Sequence, residues 1–186
     1  MVSWLNQYLM DILIAQKDMR TSYLEGGPGV LVSGLIWFTS GLVAYWGNTR
    51  VALMVFFFGG ILIFPISVLL VKGLGREGKH PKENPLGALA LESTAILFVG
   101  LFVSFLVYTI KPFWFFPFML LFIGLRYLTF QSLYGMKIYW GLGFAALLLG
   151  GACLVFNSPF YLGALLGGIL ELSTGLLISF KALQRK

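Results

Sequence analysis

The chain has 186 residues, of which 59% are hydrophobic, 17% aromatic and only 11% charged. A water-soluble domain carries about 25% charge, and a chain with a mean hydropathy of +0.90 cannot hide its apolar surface by folding on itself in water; composition excludes a soluble fold and makes the bilayer the solvent. The net charge of +6 is met by membrane topology and anionic lipid, and no basic run interleaved with aromatics points to nucleic acid.

In chain order, the first element is an amphipathic stretch. Between Ser3 and Leu24 the residues Trp4, Leu5, Tyr8, Leu9, Ile12, Leu13 and Met19 recur at helical spacing, with Asn6, Gln7, Asp11 and Asp18 on the other side. This predicts a helix lying on the cytoplasmic interface over residues 1–27. It has no early basic region and acids interrupt its stripe, so it does not read as a cleavable signal. An interfacial anchor is its plain role; a gate or a partner-docking helix is the functional alternative.

Residues 28–186 form a six-span membrane domain, since a span needs about 20 mostly apolar residues. The spans are expected near Val30 to Trp46, Val51 to Val71, Leu86 to Ile110, Phe113 to Tyr134, Ile138 to Phe156 and Phe160 to Phe180. Short Gly, Asn and Pro punctuation separates most of them. The exception is Lys72 to Pro85, KGLGREGKHPKENP, a basic linker too long for a hairpin turn. The predicted fold class is all-α and polytopic.

Basic residues set the orientation. With six spans, one face holds Lys17, Arg20, Lys72, Arg76, Lys79, Lys82, Lys137, Lys181, Arg185 and Lys186, against Arg50 and Lys111 on the other. Both termini are therefore expected in the cytoplasm. The halves also share an order of features: Tyr45-Trp46-Gly47, Gly59-Gly60 and Leu91-Glu92 in the first, Leu133-Tyr134-Gly135, Gly150-Gly151 and Leu170-Glu171 in the second. Three spans per half make such a repeat inverted across the bilayer, an arrangement that alternating-access transporters use.

Three ionisable residues fall inside apolar runs: Glu92, Arg126 and Glu171. Each costs roughly 2.5 to 3.5 kcal/mol at a helix centre, so such a residue usually has a function or a partner. Counted from the basic ends at 1.5 Å per residue, they lie roughly 10, 14 and 15 Å deep, in one layer. Gly163, Gly167, Glu171 and Gly175 are spaced by four, and Ala88, Glu92, Gly100 and Ser104 fall on a similar stripe; both carboxylates are then expected to face neighbouring helices. Ser93, Thr94, Ser173 and Thr174 are the nearby hydroxyls. If Arg126 pairs with one glutamate, the other must be protonated, meet water or bind a cation. A static lock of the three charges is the alternative.

Other chemistry is sparse. Pro65 inside the second span predicts a kink, or a hinge with Gly59-Gly60. Tyr45, Trp46, Trp114, Tyr139 and Trp140 fit an aromatic belt. His80, in the polar linker, reads as a solvated loop histidine. The lone Cys153 gives no disulfide framework. No hydrolase, ATPase or zinc motif occurs, so no catalytic residue, metal or cofactor is expected.

The stretch from Gly26 to Trp46, GGPGVLVSGLIWFTSGLVAYW, with the chain length and six spans, resembles small bacterial multi-pass membrane proteins of unknown function, which implies a bacterial cytoplasmic membrane. LELST, with Glu171 and Thr174, is similar to the membrane glutamate segment of small multidrug-resistance antiporters, where one carboxylate trades protons for an organic cation. Those transporters have four short spans, and this chain has six and a basic linker. Six spans with a carboxylate in the last also loosely resemble small amide channels.

The resulting expectation is a transporter or channel for a small polar or cationic solute, proton-coupled through its carboxylates. Oligomerisation through the glycine stripes is one way to complete a path that six helices barely enclose. The rivals are a non-transporting membrane subunit or scaffold and a lipid-handling intramembrane enzyme.

Overall fold

The computed structural model describes the backbone of residues 2–185 and the side chains of residues 11–185. The described residues form seven α-helices and two short 3-10 turns, with no strand among them: α1 (Val2–Tyr23), α2 (Gly27–Tyr45), α3 (Thr49–Gly73), α4 (Leu86–Ile110), α5 (Phe115–Tyr134), α6 (Ile138–Val155) and α7 (Phe160–Gln184). Six are long and apolar enough to cross a membrane. Local chemistry sets their ends. Asn48 caps α3 by accepting a hydrogen bond from the Val51 amide (3.1 Å), and Gly135 ends α5 in the left-handed conformation. Helix α3 runs unbroken through Pro65.

The turn between α1 and α2 is unusual. Leu24, Glu25 and Gly26 all have positive φ (49°, 57° and 79°), a region costly to residues with a Cβ. At Gly26 a Cβ would also lie 2.5 Å from the Tyr139 hydroxyl and 2.9 Å from the Tyr134 ring, so only glycine fits.

The α1 helix is docked on the bundle. Gln16 Nε2 donates to the Ser132 carbonyl (2.8 Å) and Arg20 Nη1 to the Tyr134 carbonyl (2.6 Å), both on α5. The basic linker folds back onto α1: the Gly78 amide donates to the Ser22 carbonyl (3.1 Å), Asn84 Nδ2 to the Ala15 carbonyl (2.9 Å), and Tyr23 shares a 2.9 Å hydrogen bond with His80 Nδ1. His80 is thus held against α1 and is not the solvated loop residue expected. Ala15 and Met19 are buried, whereas Leu13 and Ile14 face outward. The side chains of Trp4, Leu5, Tyr8 and Leu9 of the expected stripe, and of Asn6 and Gln7 opposite it, lie outside the described residues. These contacts gather α1, the linker, the α5–α6 turn and the end of α7 at one end of the bundle, called here the basic end.

The strongest packing is between α2 and α7, which run antiparallel with a glycine at each crossing. Gly27 faces Ser179, Gly175 faces Leu31, Gly34 faces Leu172, Gly168 faces Phe38, and Gly41 faces Leu165. The contact steps alternate between three and four residues and the glycine alternates between helices, so a larger residue fills the notch opposite each one. A second antiparallel pair, α5 and α6, meets through Gly124, Gly143 and Gly150. Helix α3 packs mainly on α2, and α4 mainly on α5. Two bodies result, one of α2, α3 and α7 and one of α4, α5 and α6, and the contacts between them, through α6–α7 and α5–α7, are much thinner.

Away from the basic end the bodies meet through rings. Phe56 of α3 stands edge-on to Trp37, Phe115 and Phe116, while Phe105 and Tyr108 of α4 meet Phe115 from the other side.

Candidate functional site

Glu171 is a buried carboxyl inside an apolar span. It is 2% exposed, opposite the Gly34 notch of the α2–α7 seam, where a Cβ on Gly34 would lie 3.0 Å from the Glu171 Cβ. The Tyr127 hydroxyl of α5 donates to Glu171 Oε1 (2.7 Å). Ser33 approaches from α2, yet neither Ser33 Oγ nor Glu171 Oε2 has a partner in bonding geometry. One carboxyl oxygen is therefore satisfied by Tyr127, and the other has the Ser33 hydroxyl near it but outside bonding geometry, an arrangement that buried polar groups rarely adopt. The bond also crosses the boundary between the bodies, because Glu171 belongs to one and Tyr127 to the other.

Helical geometry explains why the other expected members are elsewhere. A four-residue step advances about 40° beyond a full turn, so a stripe spaced by four winds around its helix. On α7 the winding carries the contacts from one neighbour to the next: Gly163 meets Phe116 and Pro117 of α5, Gly167 meets both Leu120 and Trp37, and Gly175 meets Leu31 of α2. That stripe is used within the chain, which removes it as a surface for a second copy. On α4 the buried face is Ser93, Gly100 and Ser104, with Gly100 against Phe122. Two four-residue steps back from Gly100, Glu92 has turned about 80° off that face and is exposed. The expectation that both carboxylates face neighbouring helices thus fails for Glu92.

Arg126 pairs with neither glutamate. Its guanidinium carbon lies 4.9 Å from the centre of the Phe130 ring, its Nε is buried without a partner, and the ion pair among the described residues is Glu25–Arg185 (2.9 Å). Adjacent helical residues point about 100° apart; with Tyr127 turned toward Glu171, Arg126 is turned away. The four expected hydroxyls are also diverted. Ser93 and Thr94 both donate to the Ala90 carbonyl, and Ser173 and Thr174 to that of Leu170, so each bonds back to the preceding turn of its own helix.

The partners that do surround Glu171, Tyr127 and Ser33, were not singled out in the sequence. Tyr127 had a signal, as a polar ring beside Arg126 at the same depth. Ser33 had a weaker one, beside Gly34 in a span with glycines at Gly27, Gly34 and Gly41.

Between Glu171 and the basic end the space is filled with rings. Tyr127 and Tyr139 stack at 6.3 Å, Tyr134 and Tyr139 at 5.4 Å, and the Tyr139 hydroxyl donates to the Glu25 carbonyl (2.5 Å). The clefts that open on this half of the protein are lined by Glu25 and by Thr174, not by Glu171. The carboxyl is thus shut off from these clefts in this conformation. Among the described residues no group of three or more His, Cys, Asp or Glu is placed to hold a metal.

The model of a protein family of unknown function, DUF7010, matches residues 12–181. The chain belongs to DUF7010. The match runs from the middle of α1 to the last turn of α7, so the Glu171 environment and all six spans but for the final residues of α7 lie within it. No curated protein and no solved structure matches this DUF7010 member.

Proposed function

We propose that this multi-pass membrane protein moves a small polar or cationic solute, coupled to proton binding at Glu171. One observation carries the reading: a half-satisfied carboxyl is buried in the membrane interior at the boundary between two helix bodies. A carboxyl in that position is expensive to maintain and is a functional candidate by default, and its bond to Tyr127 spans the two bodies. Protonation or cation binding at the other oxygen changes that bond, which couples site occupancy to the relative position of the bodies. Each body contains the first two spans of one half and the third of the other, an exchange compatible with an inverted 3+3 repeat. In this reading the basic end faces the cytoplasm of a bacterial cell, with both termini inside.

A second reading rests on the α2–α7 seam. Glu171 lies in the most closely packed contact of the protein, and a static lock in a non-transporting membrane subunit also needs that position.

Thermal unfolding of purified wild type and Glu171→Gln, with and without a panel of small cations and amides between pH 5 and 8, separates the readings, because a solute bound by the folded state raises its midpoint. Transport predicts a solute- and pH-dependent rise in wild type that Glu171→Gln abolishes while staying folded. No response to any solute, with a large loss of stability in the variant, contradicts transport and leaves the lock.

A further inference from the structure

We infer that the basic end carries a binding site for an anionic phospholipid, with the phosphate held in a cationic cleft and an acyl chain in the groove between α6 and α7. The cleft, of about 330 Å³, is walled by Arg20 of α1, Lys137 of the α5–α6 turn, and Lys181 and Arg185 at the end of α7. Four cations from three separate parts of the chain converge there on one acid, Glu25. Two are already committed: Arg20 to the Tyr134 carbonyl and Arg185 to Glu25. Lys137 and Lys181 are exposed and neither is in an ion pair among the described residues. The cleft therefore holds two committed cations that shape it and two available to an anion. A phosphodiester supplies the missing charge, and a zwitterionic headgroup brings a further cation into a cleft already rich in them.

The shape of the site argues for a lipid over a soluble phosphate. A second cleft, of about 300 Å³ and mostly apolar, continues from the first along α6 and α7, with Ile138 and Leu177 lining both. It is open outward at Gly141, where a Cβ would meet nothing within 4 Å. A cationic mouth that leads into an apolar groove matches a molecule with an anionic head and a hydrocarbon tail. The groove follows the thin α6–α7 contact, so the lipid would lie along the boundary between the two bodies.

The test uses the full chain in a non-ionic detergent, titrated with phosphatidylglycerol, phosphatidylcholine or glycerol 3-phosphate and read by thermal midpoint and by native mass spectrometry. The expected result is a retained phosphatidylglycerol adduct and a raised midpoint, with little effect of the other two. Lys137→Gln with Lys181→Gln should weaken phosphatidylglycerol binding roughly 30-fold, and the paired arginine substitutions should keep it. Gly141→Leu, which fills the groove, should lose the lipid while leaving the lipid-free midpoint in place. Equal binding of phosphatidylcholine, or unchanged binding in the lysine variants, overturns the charge recognition. A glycerol 3-phosphate effect as large as that of the lipid, unaffected by Gly141→Leu, overturns the lipid assignment and leaves a soluble phosphate site.

Discussion

The hydrogen bond from Tyr127 to Glu171 joins two buried side chains in apolar surroundings, and its energetics follow from that burial. Removing the donor leaves a buried carboxyl with neither oxygen paired, which costs the desolvation of the orphaned group, about 1–3 kcal/mol. Tyr127→Phe should lower the unfolding midpoint accordingly. Combining it with Glu171→Leu should restore most of the loss, because replacing both partners by apolar groups is nearly neutral. A double variant as unstable as Tyr127→Phe would mean that the tyrosine acts through its packing against Tyr139 and Phe130. At this scale the sequence disclosed the anomaly and concealed its partners. Glu171 stood out because an apolar run holds no other charge nearby. Which residues met it depended on the angular position of α5, and Arg126 and Tyr127 are neighbours in sequence that face different surroundings. The four hydroxyls looked like partners by proximity along the chain, but a helical Ser or Thr finds its own backbone carbonyl first.

At the scale of helices, glycine spacing decides what touches what. A spacing of four on α7 does not make one straight face; it winds, and it delivers Gly163 to α5 and Gly175 to α2. The informative period was seven: Gly27, Gly34 and Gly41 on α2, with Gly168 and Gly175 on α7, hold the seam along its length. Adding one methyl group in that seam should be costly. A Cβ at Gly34 or Gly168 would lie 2.6 Å from backbone nitrogen of the facing helix, so Gly34→Ala and Gly168→Ala should each destabilise by roughly 1–3 kcal/mol. Gly60→Ala and Gly151→Ala, where nothing lies within 4 Å, should be neutral or slightly stabilising. Equal effects at all four positions, measured by thermal or denaturant unfolding, would show that the close approach does not hold α2 to α7. The span limits were legible to within a few residues because the apolar runs and their Gly, Asn and Pro stops are local properties. The facing of α4 was not, since Glu92 and Ser93 differ by one residue and the choice between them belongs to the packing on α5.

Taken whole, the molecule concentrates its charge at one end. The docked α1, the linker, the α5–α6 turn and the end of α7 account for nearly all the basic residues, and the opposite end has Arg50 and Lys111. The positive-inside tendency then predicts that single cysteines at Lys79 and Lys137, in a Cys153→Ser background, are labelled by an impermeant maleimide only after the cells are opened. Cysteines at Arg50 and Lys111 should react in intact cells. The reverse pattern would invert the orientation. The pairing of helices into two bodies was visible in sequence only as a faint parallel between the halves, because the exchange of third spans is a tertiary event. That exchange places Glu171 on the boundary between the bodies, and transport through Glu171 requires that boundary to be mobile. Proteoliposomes loaded with a pH-sensitive dye and given an outward gradient of candidate cations test this most directly. Wild type should show cation-driven internal pH change, and Glu171→Gln, folded to the same extent, should show none. Absence of any flux from wild type across the panel, or an equal flux through both proteins, would contradict a proton-coupled site at Glu171.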